Sequence, residues 1–393
     1  MLHGSPKFNG PGPVAAASGL APLILKVRDE LEAAGRLPRS LVEAMDRAGL
    51  FQLYLPQSMG GLESHPITGF CAIEELSRAD GAVGWCATLS SAISGLGGWL
   101  DTAAGRGLFG QPPRARFAGS LRPEGEARLV NGGYVVSGRW DFASGIDHAN
   151  VVLCTCKVVG EGGPRLAANG APETIMFLAP QAVAKVHNTW SVMGMRGTGS
   201  NDFALDDVFV PQERSFSIAE PSRESSPLYH PRMILTAFGT LNAGNALGIA
   251  RGAMDSFLAL AASASSTNSA TLLRDRTLVQ IAVGEAESII GAARAYLLDV
   301  VGQAWQTVGD GSPDPSREIA RARLAITHAV RESVRAVDLL FHAAGTNAVF
   351  QKYTLERYFR DIHVAVQHMA GAPGVIESAG RVMLGLKPNG PGW

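Results

Sequence analysis

Three short segments of this sequence concentrate hydroxyl, aromatic and imidazole groups. The first is Gly138-Arg139-Trp140-Asp141-Phe142-Ala143-Ser144-Gly145, which reads as a connection between two strands. A flat heteroaromatic ring could stack on its aromatic side chains while Ser144 bonds a ring nitrogen. An ordinary aromatic-bearing connection in a sheet would look the same. The second is Gly194-Met195-Arg196-Gly197-Thr198-Gly199-Ser200, whose glycines would let backbone approach a phosphate or planar ligand. It is not a dinucleotide fingerprint, because a strand pattern follows it where that fingerprint needs a helix. By itself it is equally a plain glycine turn. The third runs from Arg357 to His368 and carries His363 and His368. On one continuous helix a five-residue spacing separates them by roughly 140°, so they share no face and make no metal pair. His363, beside Arg360 and Asp361, reads as structural. His368 stands on a mostly apolar stretch, where a satisfied core histidine is the usual explanation.

The elements that must position these segments change character along the chain. The first third reads helical: Leu41, Ala44, Met45 and Ala48 follow helical spacing between Pro38 and Gly49, and Phe70–Leu76 and Trp85–Ile93 continue such patterns. Near Pro112-Pro113 the pattern turns to strands, which reach to about Phe216. Asn131-Gly132-Gly133 between two apolar runs predicts a hairpin. Val151–Val158, Thr174–Leu178 and Phe203–Val210 read as further strands. Helices return at Leu235–Ala262 and Leu278–Val301. A third is predicted from an Asp314 N-cap with Pro315 at its first position to Gly345, and a fourth over Leu355–Met369. Runs of one element type, ending in four long helices, argue for an α+β fold closed by a helical bundle rather than a parallel α/β sheet.

Composition narrows the classes. With 34 basic and 35 acidic residues, net charge -1, there is no electrostatic case for nucleic acid or a membrane surface. Gly81–Leu100 is uncharged and as long as a span, but its five glycines and four Ser/Thr fit a buried helix better. No signal peptide is recognisable at the N-terminus. Cys154 and Cys156 share a strand face and read as small buried hydrophobes, since further metal ligands at suitable spacing are missing. A reducing, cytoplasmic compartment fits.

In order and spacing the three segments resemble the acyl-CoA dehydrogenase superfamily, from about Leu37 to Leu386. The landmarks are Ala48-Gly49-Leu50 to Gly60-Gly61, Ser137-Gly138-Arg139-Trp140, Met193 to Pro211, and Gly345 with Arg357 to Asp361. The resemblance implies an N-terminal helical domain (1–112), a middle β-domain (113–225) and a C-terminal four-helix bundle (226–393), assembled as a homotetramer. It places a flavin between β-domain and bundle. Trp140, Phe142 and Ser144 would line its ring, Ser144 near N5, with Ser120 and Leu121 approaching from the preceding loop. Arg274 and Gly345 fall where a neighbouring subunit helps hold the cofactor.

Two chemistries compete within that superfamily. A dehydrogenase needs a carboxylate to take the substrate's α-proton. The usual glutamate position is Met369 here, and Tyr229 to Ala253, the other known placement, contains no Asp or Glu. The pattern Ser-Gly-Arg-Trp-x-Phe-x-Ser-Gly at 137–145, and Arg360-Asp361 followed by His368, instead resemble the superfamily's flavin-dependent monooxygenases. That likeness implies reduced flavin (FMNH2 or FADH2) from a separate reductase, O2, a small aromatic or heteroaromatic substrate, and His368 and Ser144 as the catalytic pair. A second histidine found in some members on the helix at Trp85–Leu100 is missing, and small residues from Ser94 to Gly98 suggest a roomier wall. An acyl-CoA dehydrogenase or oxidase, and a non-catalytic flavin- or acyl-binding scaffold, stay open as alternatives.

Overall fold

A computed structural model describes residues 12–109, 114–167, 170–265 and 270–389. The Pro112-Pro113 step, where the sequence predicts a change of element type, lies outside them. Five helices come first: α1 (Pro13–Ala34), α2 (Arg39–Arg47), α3 (Pro66–Ala79), α4 (Gly81–Gly95) and α5 (Thr102–Phe109). Eight strands follow: β1 (Phe117–Val130), β2 (Gly133–Trp140), β3 (Val151–Gly160), β4 (Gly163–Pro164), β5 (Thr174–Pro180), β6 (Lys185–His187), β7 (Asp202–Pro211) and β8 (Ser215–Phe216). Five more helices close the chain: α6 (Pro231–Ala261), α7 (Thr277–Gly309), α8 (Ser316–Ala344), α9 (Leu355–Ala365) and α10 (Pro373–Met383). The segregated α+β order is the one the sequence predicts.

The strands form one mixed sheet in the order β6-β7-β2-β1-β3-β5-β8, with β4 on β3. Val130 pairs with Gly133 across the predicted Asn131-Gly132 turn, where Gly132 takes a φ of 79°. β1 and β3 run parallel, and their register shifts between Ser120 and Pro123. A proline cannot donate to the ladder, so the irregularity falls at Pro123 and interrupts pairing beside Ser120.

Trp140 fills the core of this sheet. Its ring is fully buried, stacks on Phe203 at 5.2 Å and donates its indole N–H to the Thr155 carbonyl at 2.9 Å. A Cβ at Gly125 would stand 2.2 Å from that ring, so the strand opposite needs a glycine there. Removing so large a buried ring costs about 3–5 kcal/mol in typical cores.

α6 is buried almost all round, as its Ala, Gly, Leu and Ile content requires, with α3, α4, α7, α8 and α9 all packed against it. It is long and apolar enough to cross a membrane by composition, but 89% of its most apolar window is covered by the protein itself. The cysteines are all free, with Cys154 and Cys156 fully buried in the sheet core. Two expected boundaries move. α8 starts at Ser316, with Pro315 as its cap residue, while the Asp314 carboxylate accepts from the Ser316 N–H at 3.1 Å. α9 stops at Ala365 instead of reaching Met369, and a short 3₁₀ turn over Met369–Gly371 leads to Pro373. Gly371 makes that turn possible, since a Cβ there would lie 2.8 Å from the Val366 carbonyl oxygen.

Candidate flavin and substrate site

The site begins at the sharp break between α3 and α4. Asp80 is fully buried and caps α4, accepting from the Ala82 and Val83 N–H groups at 3.0 and 3.2 Å. Just past this first turn, Trp85 turns its indole N–H to Ser144 Oγ at 3.0 Å. Its ring also meets His368 edge to face, with centroids 5.5 Å apart. One tryptophan therefore links the two residues that the sequence nominates for catalysis.

The three segments singled out in the sequence converge here. Gly194 lies against α9, where a Cβ would stand 2.3 Å from the Arg360 carbonyl oxygen. The next residue, Met195, is left-handed (φ 55°), and its N–H donates to Asp361 Oδ1 at 2.5 Å. Arg360 donates to the Met193 carbonyl at 2.6 Å and pairs with Glu32 of α1 and Glu356. The same loop is stitched to the first segment: the Gly145 N–H donates to the Thr198 carbonyl at 2.8 Å, and the Ala143 N–H to the Asn201 carbonyl at 3.1 Å. Burial pushes the Asp361 carboxyl above its ordinary range, and the neighbouring Asp80 pushes it the same way.

The hydroxyls between these segments can be ordered by counting protons. Thr198 Oγ1 donates to the Met195 carbonyl at 2.8 Å, which spends its only hydrogen. In the 2.7 Å contact between Thr198 and Ser200, Ser200 must therefore donate. In the 2.8 Å contact between Ser200 and Ser144, Ser144 must then donate. Trp85 can only donate to Ser144. The relay runs one way, from Trp85 through Ser144, Ser200 and Thr198 to the Met195 carbonyl. It leaves Ser144 Oγ with one lone pair and no hydrogen for a ligand, so Ser144 can only accept from it.

His368 is not on a helix. Its backbone is extended (φ −65°, ψ 148°), and its Nδ1 accepts from the Ala370 N–H at 3.3 Å. The proton of the neutral ring thus sits on Nε2. Burial drops its pKa to about 4, which keeps it neutral near pH 7. The helical angle between the two histidines has no meaning once α9 ends at Ala365. His363 pairs with Asp338 of α8 at 2.9 Å and packs on Phe359.

Other expected site residues divide. Phe142 is 53% exposed, takes a left-handed φ of 60°, and faces the edge of Trp190 with Arg122 over its ring. Trp140 is a correction: expected to line a flat ring, it has no exposed surface, because the strand turns it into the sheet core. It supports the site from behind. Thr155, which accepts from Trp140, donates its hydroxyl to the Ser120 carbonyl at 3.2 Å, and Leu121 is exposed beside it. Arg274 is exposed and lies 3.9 Å from Asp275, and Gly345 closes α8; among the described residues of the one chain, no contact brings either to the Ser144 cluster. Trp85, Ser200 and Asp361 carry roles that the sequence did not assign. Each acts through a contact between distant segments, which no local periodicity reports.

Two family models match the chain: acyl-CoA dehydrogenase, N-terminal domain, over residues 17–99, and acyl-CoA dehydrogenase, C-terminal domain, over residues 240–373. An indole-3-acetate monooxygenase of Pseudomonas putida is 31% identical, the match covering 95% of this chain and 96% of that protein. The flavin-dependent monooxygenase, oxygenase subunit HsaA, of Mycobacterium tuberculosis is 30% identical, with 92% of each chain covered. The structure of XiaF from Streptomyces sp., in complex with FADH2 and glycerol, superposes with a TM-score of 0.87 at 26% identity over 96% of both chains.

Proposed function

Because this chain belongs to the acyl-CoA dehydrogenase superfamily, among its flavin-dependent monooxygenases, we propose that it inserts one atom of O2 into a small aromatic or heteroaromatic substrate. A separate reductase supplies the reduced flavin, as the name oxygenase subunit of the relative implies. Reduced flavin supplies the two electrons; one oxygen atom enters the substrate and the other leaves as water. The observation that carries the reading is the one-way hydroxyl relay from Trp85 to the Met195 carbonyl, which leaves Ser144 able only to accept. A reduced flavin carries a hydrogen on N5 and an oxidised one does not, so an acceptor-only Ser144 suits the reduced form.

The remaining residues fit that use. Phe142, half exposed between Arg122 and Trp190, would give the flavin an aromatic wall, with Ser120 and Leu121 alongside. His368 presents a neutral Nε2–H beside Trp85, a donor for substrate or for oxygen-derived charge. Trp85 and the relay hold these groups in place before substrate arrives. The two buried carboxylates nearby, Asp361 and Asp80, are committed to backbone N–H groups, so neither serves as a dehydrogenase's base. We keep the three-part division at 1–112, 113–225 and 226–393, a cytoplasmic location and a homotetramer as parts of the reading. Exposed Leu278, Val349 and Phe350, close in sequence to Arg274 and Gly345, support a second copy on that face of the bundle.

Ser144→Ala tests the assignment. Product formed per O2 consumed should fall severalfold while the far-UV spectrum stays that of wild type and the melting temperature drops only modestly, as the loss of two buried hydrogen bonds requires. Unchanged coupling would remove Ser144 from the mechanism.

A further inference from the structure

Among the buried side-chain atoms of the described residues that make no hydrogen bond are Thr88 Oγ1 on α4 and Asn242 Oδ1 on α6; Asn245 Oδ1, one turn along α6, is another, but its amide is already spent on Ser77 and the Gly81 carbonyl. Thr88 is 1% exposed and Asn242 7%, and neither Thr88 Oγ1 nor Asn242 Oδ1 makes a hydrogen bond. α4 and α6 pack antiparallel: Gly81 lies against Ile249, and Gly95 against Ile234 and Phe238. Interpolating between these contacts puts Asn242 level with Thr88. Thr88 in turn follows Trp85 by three residues, on the same helix face and about 4.5 Å further along the axis.

Neither orphan is forced by helical position. Thr236, Thr240 and Ser333 all return their hydroxyls to the carbonyl four residues back, at 2.7, 2.9 and 2.8 Å. Thr88 does not. Asn242 donates its Nδ2 to the Phe238 carbonyl at 3.0 Å, which fixes the amide. Flipping it would set oxygen against oxygen, so the free atom is an acceptor. A buried polar group left unpaired costs stability, and such groups persist where a ligand pairs them.

Resting on the monooxygenase reading above, we propose that Asn242 and Thr88 recognise a hydrogen-bond donor on the aromatic substrate, a phenolic O–H or a ring N–H, one helical turn beyond Trp85. An acceptor-only or anionic group would meet the Asn242 oxygen repulsively. Gly81–Leu100 adds no charged side chain to balance one.

The test is equilibrium binding, by anaerobic calorimetry, to the full chain with reduced flavin. Two probe pairs differ only in the donor: phenol against anisole, and indole against 1-methylindole. Wild type should bind the donor-bearing member of at least one pair about tenfold to a hundredfold tighter. Asn242→Leu and Thr88→Val should bring that preference below about threefold; Thr88→Val should melt no lower than wild type, because it removes an unpaired buried atom, and Asn242→Leu, which also gives up the bond to the Phe238 carbonyl, should melt at most slightly lower. Thr88→Ser keeps the hydroxyl and should keep the preference. Absence of preference in wild type, or its survival in both apolar variants, overturns the proposal, as does a sharp fall in melting temperature, which would make the pair structural. The substrate-free reaction of reduced enzyme with O2 separates the two ideas. Its failure in wild type defeats the monooxygenase reading, whereas a missing preference defeats the Asn242–Thr88 assignment alone.

Discussion

Replacing His368 with asparagine separates the charge of this ring from its structural role. Asparagine is among the best N-cap residues, and its Oδ1 can take over the Ala370 N–H that Nδ1 now holds. What disappears is the titration. The folded pKa of His368, about 4, lies below the value of about 6.5 in an unfolded chain. Between those values the unfolded state binds more protons, so this histidine's contribution is complete above pH 6.5 and is lost as pH falls toward 4. Each pH unit in that window is worth up to about 1.4 kcal/mol, and from pH 7 to pH 5 wild type should lose about 2 kcal/mol that His368→Asn retains. Other buried histidines, such as His148, whose pKa burial lowers to about 3, titrate in both proteins and cancel in the difference. Urea unfolding of the two proteins at each pH measures it. A difference between wild type and variant that stays constant within about 0.5 kcal/mol across the range would show that His368 is not held neutral by burial, and the donor role given to its Nε2–H would fall with it.

Asp361 predicts the opposite slope. Its carboxyl is raised by burial and by Asp80, so the folded state holds the proton more tightly and stability is lost as pH rises through the raised value. Asp361→Asn keeps an oxygen for the Met195 N–H, and its stability relative to wild type should climb from pH 6 to pH 9 in urea unfolding; a flat difference contradicts the buried Asp80–Asp361 pair. Trp85→Phe keeps a ring against His368 but removes the indole N–H that meets Ser144, a bond worth about 1 kcal/mol. It should cost about that much in stability and reduce product per O2 by less than Ser144→Ala does; coupling identical to wild type would take Trp85 out of the relay.

The layout of helices and strands was legible because runs of one element type are long and their periods are clean. The Asn131-Gly132-Gly133 hairpin and the strand ending at Pro211 fall where turn chemistry puts them. The site was legible less evenly. An alternating strand says that Trp140 and its neighbours face opposite sides, not which side is the core, and the stacking on Phe203 decides that only in three dimensions. The end of α9 was misread because Val364, Ala365 and Val366 continue an apolar helical pattern, while the break is imposed by the close approach of Gly371 to Val366 and by Pro373 opening the next helix. His368 was nominated through family resemblance, and its extended backbone and tautomer follow only from the turn it caps. The contacts made by Trp85, Ser200 and Asp361 join residues 56 to 166 positions apart and leave no local mark.

Rapid mixing tests the central claim most directly. Protein loaded with anaerobically reduced flavin is mixed with O2 in the absence of substrate, and the flavin absorbance is followed. A protein-dependent transient, distinct from both reduced and oxidised flavin and long-lived compared with free flavin, is the predicted result. Reoxidation in a single step at the rate of free flavin would contradict the assignment as a monooxygenase.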